Sequence, residues 1–77
     1  MNEDKYDGHR LVDAAGQIRY RVRGSRVVNT VTGQTEFRIR ADDRLVDAHS
    51  NQLRFRIRDG LRVVDATTGS LAYRLRA

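Results

Sequence analysis

Residues 61–76 read LRVVDATTGSLAYRLR, and the same phrase recurs as HRLVDAAGQIRYRVR at 9–23, SRVVNTVTGQTEFRIR at 25–40 and DRLVDAHSNQLRFRIR at 43–58. Within the quoted stretch Leu71, Tyr73 and Leu75 alternate with Ala72, Arg74 and Arg76. A period of two marks a strand with one apolar and one polar face. Ahead of it, Val63-Val64 is a short β-branched run closed by Asp65, and Thr67-Thr68-Gly69 supplies a turn in which glycine takes the left-handed conformation. Each copy is therefore strand, turn, strand. The aromatics Tyr20, Phe37, Phe55 and Tyr73 recur after 17, 18 and 18 residues, a period that fits one hairpin and is too short for common helical repeats.

Turn lengths then predict the register. A three-residue Thr67–Gly69 loop places Val63 opposite Tyr73, and in the first copy, one residue shorter, a two-residue Ala15-Gly16 loop places Leu11 opposite Tyr20. Between copies the linkers pair Val22 with Val27, Ile39 with Leu45, and Ile57 with Val63. All connections agree on one buried face: Leu11, Ile18, Tyr20, Val22, Val27, Phe37, Ile39, Leu45, Leu53, Phe55, Ile57, Val63, Leu71, Tyr73 and Leu75. The chain of 77 residues holds neither cysteine nor proline, so packing and backbone pairing alone must stabilise it. Open sheet edges are costly at this size. The expected fold is all-β: four tandem hairpins, about eight short antiparallel strands, closing into a small pseudo-four-fold barrel with the first strand against the last. Residues 9–77 form its single domain, and 1–8 a short acidic lead-in.

The repeats resemble the four-fold β-flower family, in which four short hairpins are arranged like petals around a shallow barrel. The likeness covers about residues 9 to 76 and rests on the unit R-[LV]-V-[DN]-A-x-x-G followed by an aromatic, a basic and an aliphatic residue, as in RVVDATTGSLAYRLR. The resemblance implies a fold and no activity.

Function is carried in the sequence by charge. Of 15 basic residues only Lys5 is a lysine, and every arginine falls inside the repeats, giving a net charge of +5 and a pI near 10.7. The register sets Arg10, Arg26, Arg44 and Arg62 opposite Arg21, Arg38, Arg56 and Arg74, with Arg23, Arg40 and Arg58 on the other neighbouring strand. Directly opposed like charges are destabilising by tenths of a kcal/mol or so, and an anion relieves the repulsion. Guanidinium forks suit phosphate and carboxylate. Those eight opposed arginines are the candidate anion-binding residues; the competing reading has their stems covering Val12, Val28, Val46 and Val64 with solvated heads.

Other chemistry is sparse. Asp13, Asn29, Asp47 and Asp65 occupy one repeat position and read as turn caps, because Asn for Asp keeps that role while losing the charge. His9 and His49 share no position between repeats, and no nucleophile stands beside a base. No enzyme activity, metal or cofactor is expected. Aromatics and arginines alternate on opposite faces, which argues against a base-stacking platform. The expected partner is a polyanion, foremost nucleic acid; alternatives are a homo-oligomer or a protein docking on an acidic partner, and a repeat fold without a ligand. Neither a signal peptide nor a membrane span is evident, so the default location is the cytoplasm.

Overall fold

Eight strands follow one another in the computed structural model, which describes residues 5–41, 43–59 and 61–77. They are β1 (Arg10–Val12), β2 (Ile18–Arg23), β3 (Arg26–Asn29), β4 (Thr35–Arg40), β5 (Arg44–Asp47), β6 (Leu53–Arg58), β7 (Arg62–Asp65) and β8 (Leu71–Arg76). The long even-numbered strands are the alternating halves of the repeats, and the short odd-numbered ones are the β-branched runs. Every strand pairs antiparallel with the next, and β1 pairs with β8 through Leu11 opposite Leu75, so the sheet closes into a barrel. Closure leaves no open edge.

The pairings anticipated at the centre of each hairpin are all present: Leu11 faces Tyr20, Val27 faces Phe37, Leu45 faces Phe55 and Val63 faces Tyr73. One step nearer the turn the register slips. Val12 pairs with Ile18, Val28 with Thr35, Val46 with Leu53 and Val64 with Leu71, so Arg19, Glu36, Arg54 and Ala72 each stand as the extra residue of a β-bulge. The cause lies in the turns. The main chain closes at Asp13–Gln17, Asn29–Gln34, Asp47–Gln52 and Asp65–Ser70, giving a loop of three residues in the first hairpin and four in the others. Each loop is thus one residue longer than the sequence reading, and the bulge absorbs the difference.

This corrects the expected core. The bulge turns Ile18, Leu53 and Leu71 to the outer face beside Val12, Val46 and Val64; Ile18 is 38% exposed and Leu71 45%. The interior keeps Leu11, Val22, Val27, Leu45 and Val63 almost wholly excluded from solvent, with Phe37, Ile57 and Leu75 beside them. Against this layer Tyr20, Phe37, Phe55 and Tyr73 form a ring of edge-on contacts with neighbouring centroids 5.4–5.9 Å apart, a geometry that suits the aromatic quadrupole.

The lead-in also enters the core. Tyr6 is 4% exposed, Gly8 N–H donates to the Val22 carbonyl at 2.9 Å, and Asp7 Oδ1 accepts from Gly24 N–H at 2.7 Å. A lone Tyr6 carries no periodicity, which is why pattern reading places it outside the domain.

Candidate anion-binding face

Closure and the bulges together organise the outer face into four oblique stripes. Each crosses five strands, beginning with three arginines and ending with a valine and the residue that the bulge turned outward. Arg76, Arg10 and Arg21 lead to Val28 and Thr35; Arg23, Arg26 and Arg38 lead to Val46 and Leu53. Arg40, Arg44 and Arg56 lead to Val64 and Leu71; Arg58, Arg62 and Arg74 lead to Val12 and Ile18. All eight arginines singled out from the sequence lie on this face, opposed as expected. Arg23, Arg40 and Arg58 complete three triads, and the linker register already pointed to them. Arg76 completes the fourth through the β1–β8 pairing, which alternation within one hairpin does not reveal.

Within a triad the central arginine has a like charge directly opposite on both sides. Among the described residues only Arg62 of these twelve pairs with a side-chain carboxylate, Asp59 at 2.8 Å. Arg10 Nη2 and Arg44 Nε instead donate to main-chain oxygens, of Ala77 at 3.0 Å and Ala41 at 3.2 Å. The two arginines outside the triads behave differently. Arg19 and Arg54 sit at bulges and reach Asp13 at 3.3 Å and Asp47 at 3.4 Å.

The acidic repeat position is a turn cap first. Asp13 Oδ1 accepts from the backbone of Ala15 and Gln17, Asn29 Oδ1 from Val31 and Thr32, Asp47 Oδ1 from His49 and Ser50, and Asp65 Oδ1 from Thr67 and Thr68. These backbone N–H groups, with the neighbouring arginines adding less, hold Asp13 and Asp47 below the ordinary carboxylate range. In the second hairpin the ion pair is replaced by Asn29 Nδ2 donating to Glu36 at 3.4 Å. Inside the barrel, burial pushes the Tyr20 hydroxyl up to about 12, helped by the Tyr73 hydroxyl and the Glu36 carboxylate.

One concave feature of this face stands over β2–β4. It is an open cleft of about 400 Å³ whose lining includes Arg21, Arg23, Arg26, Val28 and Thr35. Sequence reading did not find Thr35, because a threonine among Ile18, Leu53 and Leu71 reads as a weak member of an apolar row. His9 is half-buried with Nδ1 3.1 Å from the Tyr6 carbonyl oxygen, and His49 is exposed on a turn. Among the described residues no group of three or more His, Cys, Asp or Glu side chains is placed to hold a metal ion, and no helix is long and apolar enough to cross a membrane.

No protein-family model matches this chain, and neither curated proteins nor solved structures give a significant match.

Proposed function

We propose that this protein is a non-catalytic binding module whose arginine-rich outer face engages an anionic macromolecule, foremost nucleic acid, through phosphate contacts without base readout. The observation that carries the reading is the set of four arginine triads, twelve guanidinium groups in direct cross-strand opposition with a single side-chain carboxylate partner among the described residues. Threonine or lysine–glutamate pairs at those positions would spare the sheet this repulsion. Bound phosphates offset it, because a planar fork donates two parallel hydrogen bonds to each anionic group. The aromatic side chains lie on the other face of the sheet, so stacking on bases has no platform and sequence preference should be weak. The resemblance to the four-fold β-flower family accords with a four-hairpin barrel and adds no ligand.

The test is a gel-shift assay with random DNA and RNA at low and moderate salt, beside a variant carrying Arg21, Arg38, Arg56 and Arg74 as glutamine. Retardation at low salt that fades at moderate salt and is lost in the variant supports the proposal. No retardation of the parent protein at low salt removes it. A second reading, self-assembly, is favoured by the exposure of Ile18 and Leu71 on the outer face, 38% and 45%. Light scattering decides it, since a strict monomer leaves assembly without support.

A further inference from the structure

The four stripes are built alike but do not end alike. Ile18, Leu53 and Leu71 close three of them with aliphatic carbon, and Thr35 closes the fourth with a hydroxyl. That hydroxyl has no hydrogen-bond partner among the described residues, whereas Thr30 Oγ1 donates to main-chain oxygens of β2 at 3.2–3.3 Å. Thr35 pairs with Val28, and Val28 pairs with Arg21, so the hydroxyl and the guanidinium group flank a short valine floor. On the next row Arg23 and Arg26 face each other. These residues line the cleft described above. Arg21, Arg23 and Arg26 have no carboxylate partner among the described residues, in contrast to Arg62, the counterpart of Arg26, which Asp59 holds at 2.8 Å. The one carboxylate on the adjoining strand, Glu36, sits at the bulge and accepts from Asn29 Nδ2 at 3.4 Å.

We infer that this cleft is a preferential site for a phosphate monoester, bound by Arg21, Arg23 and Arg26 with Thr35 donating its free hydroxyl. Three arginines that line one concavity with no carboxylate partner among the described residues favour the doubly charged monoester over the singly charged diester of a strand interior, since attraction grows with the charge of the guest. The threonine hydroxyl supplies a donor that the aliphatic ends of the other stripes lack. Such a group comes either as the terminal phosphate of a nucleic acid strand or as a small free phosphate. The inference rests on the proposed anion-binding face and gives it one privileged corner.

Two-dimensional NMR with inorganic phosphate, and binding of a short single strand with and without a 5′-phosphate, test it. Phosphate should shift the Arg23, Arg26 and Thr35 signals at concentrations that leave Arg58, Arg62 and Leu71 unmoved, and the 5′-phosphate should tighten strand binding severalfold. Thr35→Leu, which copies the residue at two other stripes, and Arg26→Gln should each erase both effects while the fold persists. Arg62→Gln should leave them intact. Equal shifts at all four triads, or a Thr35→Leu variant that binds phosphate as the parent does, overturns the inference. A strand that binds regardless of its end overturns it for nucleic acid ends, whereas phosphate binding at the cleft without any strand binding sinks the wider proposal and leaves the cleft standing.

Discussion

The second and fourth hairpins share a skeleton and differ in what they show to solvent. Val27 and Val63 are both wholly buried, Asn29 and Asp65 cap their turns through the same pair of backbone N–H groups, and Gly33 and Gly69 take nearly the same positive φ, 77° and 78°. Their bulges also coincide. Yet one carries Thr35 and Glu36 where the other carries Leu71 and Ala72, and among the described residues Arg26 has no counterpart to the Asp59 carboxylate that holds Arg62. The pair teaches that the backbone is specified by a few inward and turn positions. The outward residues on either side of the bulge are then free to set what the surface binds.

The largest test of this division is a charge at the shared buried position. Val27→Asp and Val63→Asp should each prevent folding, because an unpaired carboxylate there has no partner and no water. A folded variant of either, seen by circular dichroism, breaks the comparison at its base. Next in size, Leu45→Ala should cost about 2–5 kcal/mol in urea unfolding, while Leu71→Ala on the outer face should cost under about 1 kcal/mol. Equal losses would mean that the bulge does not turn Leu71 outward.

Turn substitutions come third. Gly33→Ala and Gly69→Ala should destabilise by the same amount, about 1–2 kcal/mol, because a Cβ at either place meets open space and only the left-handed backbone resists it. The third hairpin uses Asn51 there at φ 63°, so Asn51→Gly should raise the urea midpoint slightly. The smallest effect is on pH dependence. Asp13 and Asp47 are held below the ordinary carboxylate range in the folded state, so their contribution is complete above the unfolded value near 3.8 and fades as pH falls through the lower folded one. Asp47→Asn keeps the cap, as Asn29 does naturally, and should flatten the loss of thermal stability as pH falls below about 4. An unchanged acid slope would show that the backbone donors do not favour the charged form.

What the sequence disclosed and what it withheld separate along the same line. Alternation such as Phe55-Arg56-Ile57-Arg58 states strand and face outright, because period two is geometric. The bulge at Ala72 was not visible, since it depends on whether Asp65 or Ala66 closes the turn, a difference of one residue among hydrogen bonds of similar worth. Ile18, Leu53 and Leu71 were misplaced for that reason alone. Tyr6 lay hidden because a single aromatic outside the repeat has no pattern to betray it. Thr35 gained meaning only when the bulge set it outward, next to Val28 and Arg21.

If the triads meet phosphate, the salt dependence of binding reports the number of phosphates contacted. Fluorescence anisotropy of a random single strand across a salt series should give log K falling linearly with log salt, with a slope of about −0.7 for each phosphate contacted. Replacing Arg23, Arg26 and Arg38 by glutamine should make that slope shallower by about 2. A parent slope near zero, or one unchanged by loss of a whole triad, would contradict the claim that these arginines are the binding face.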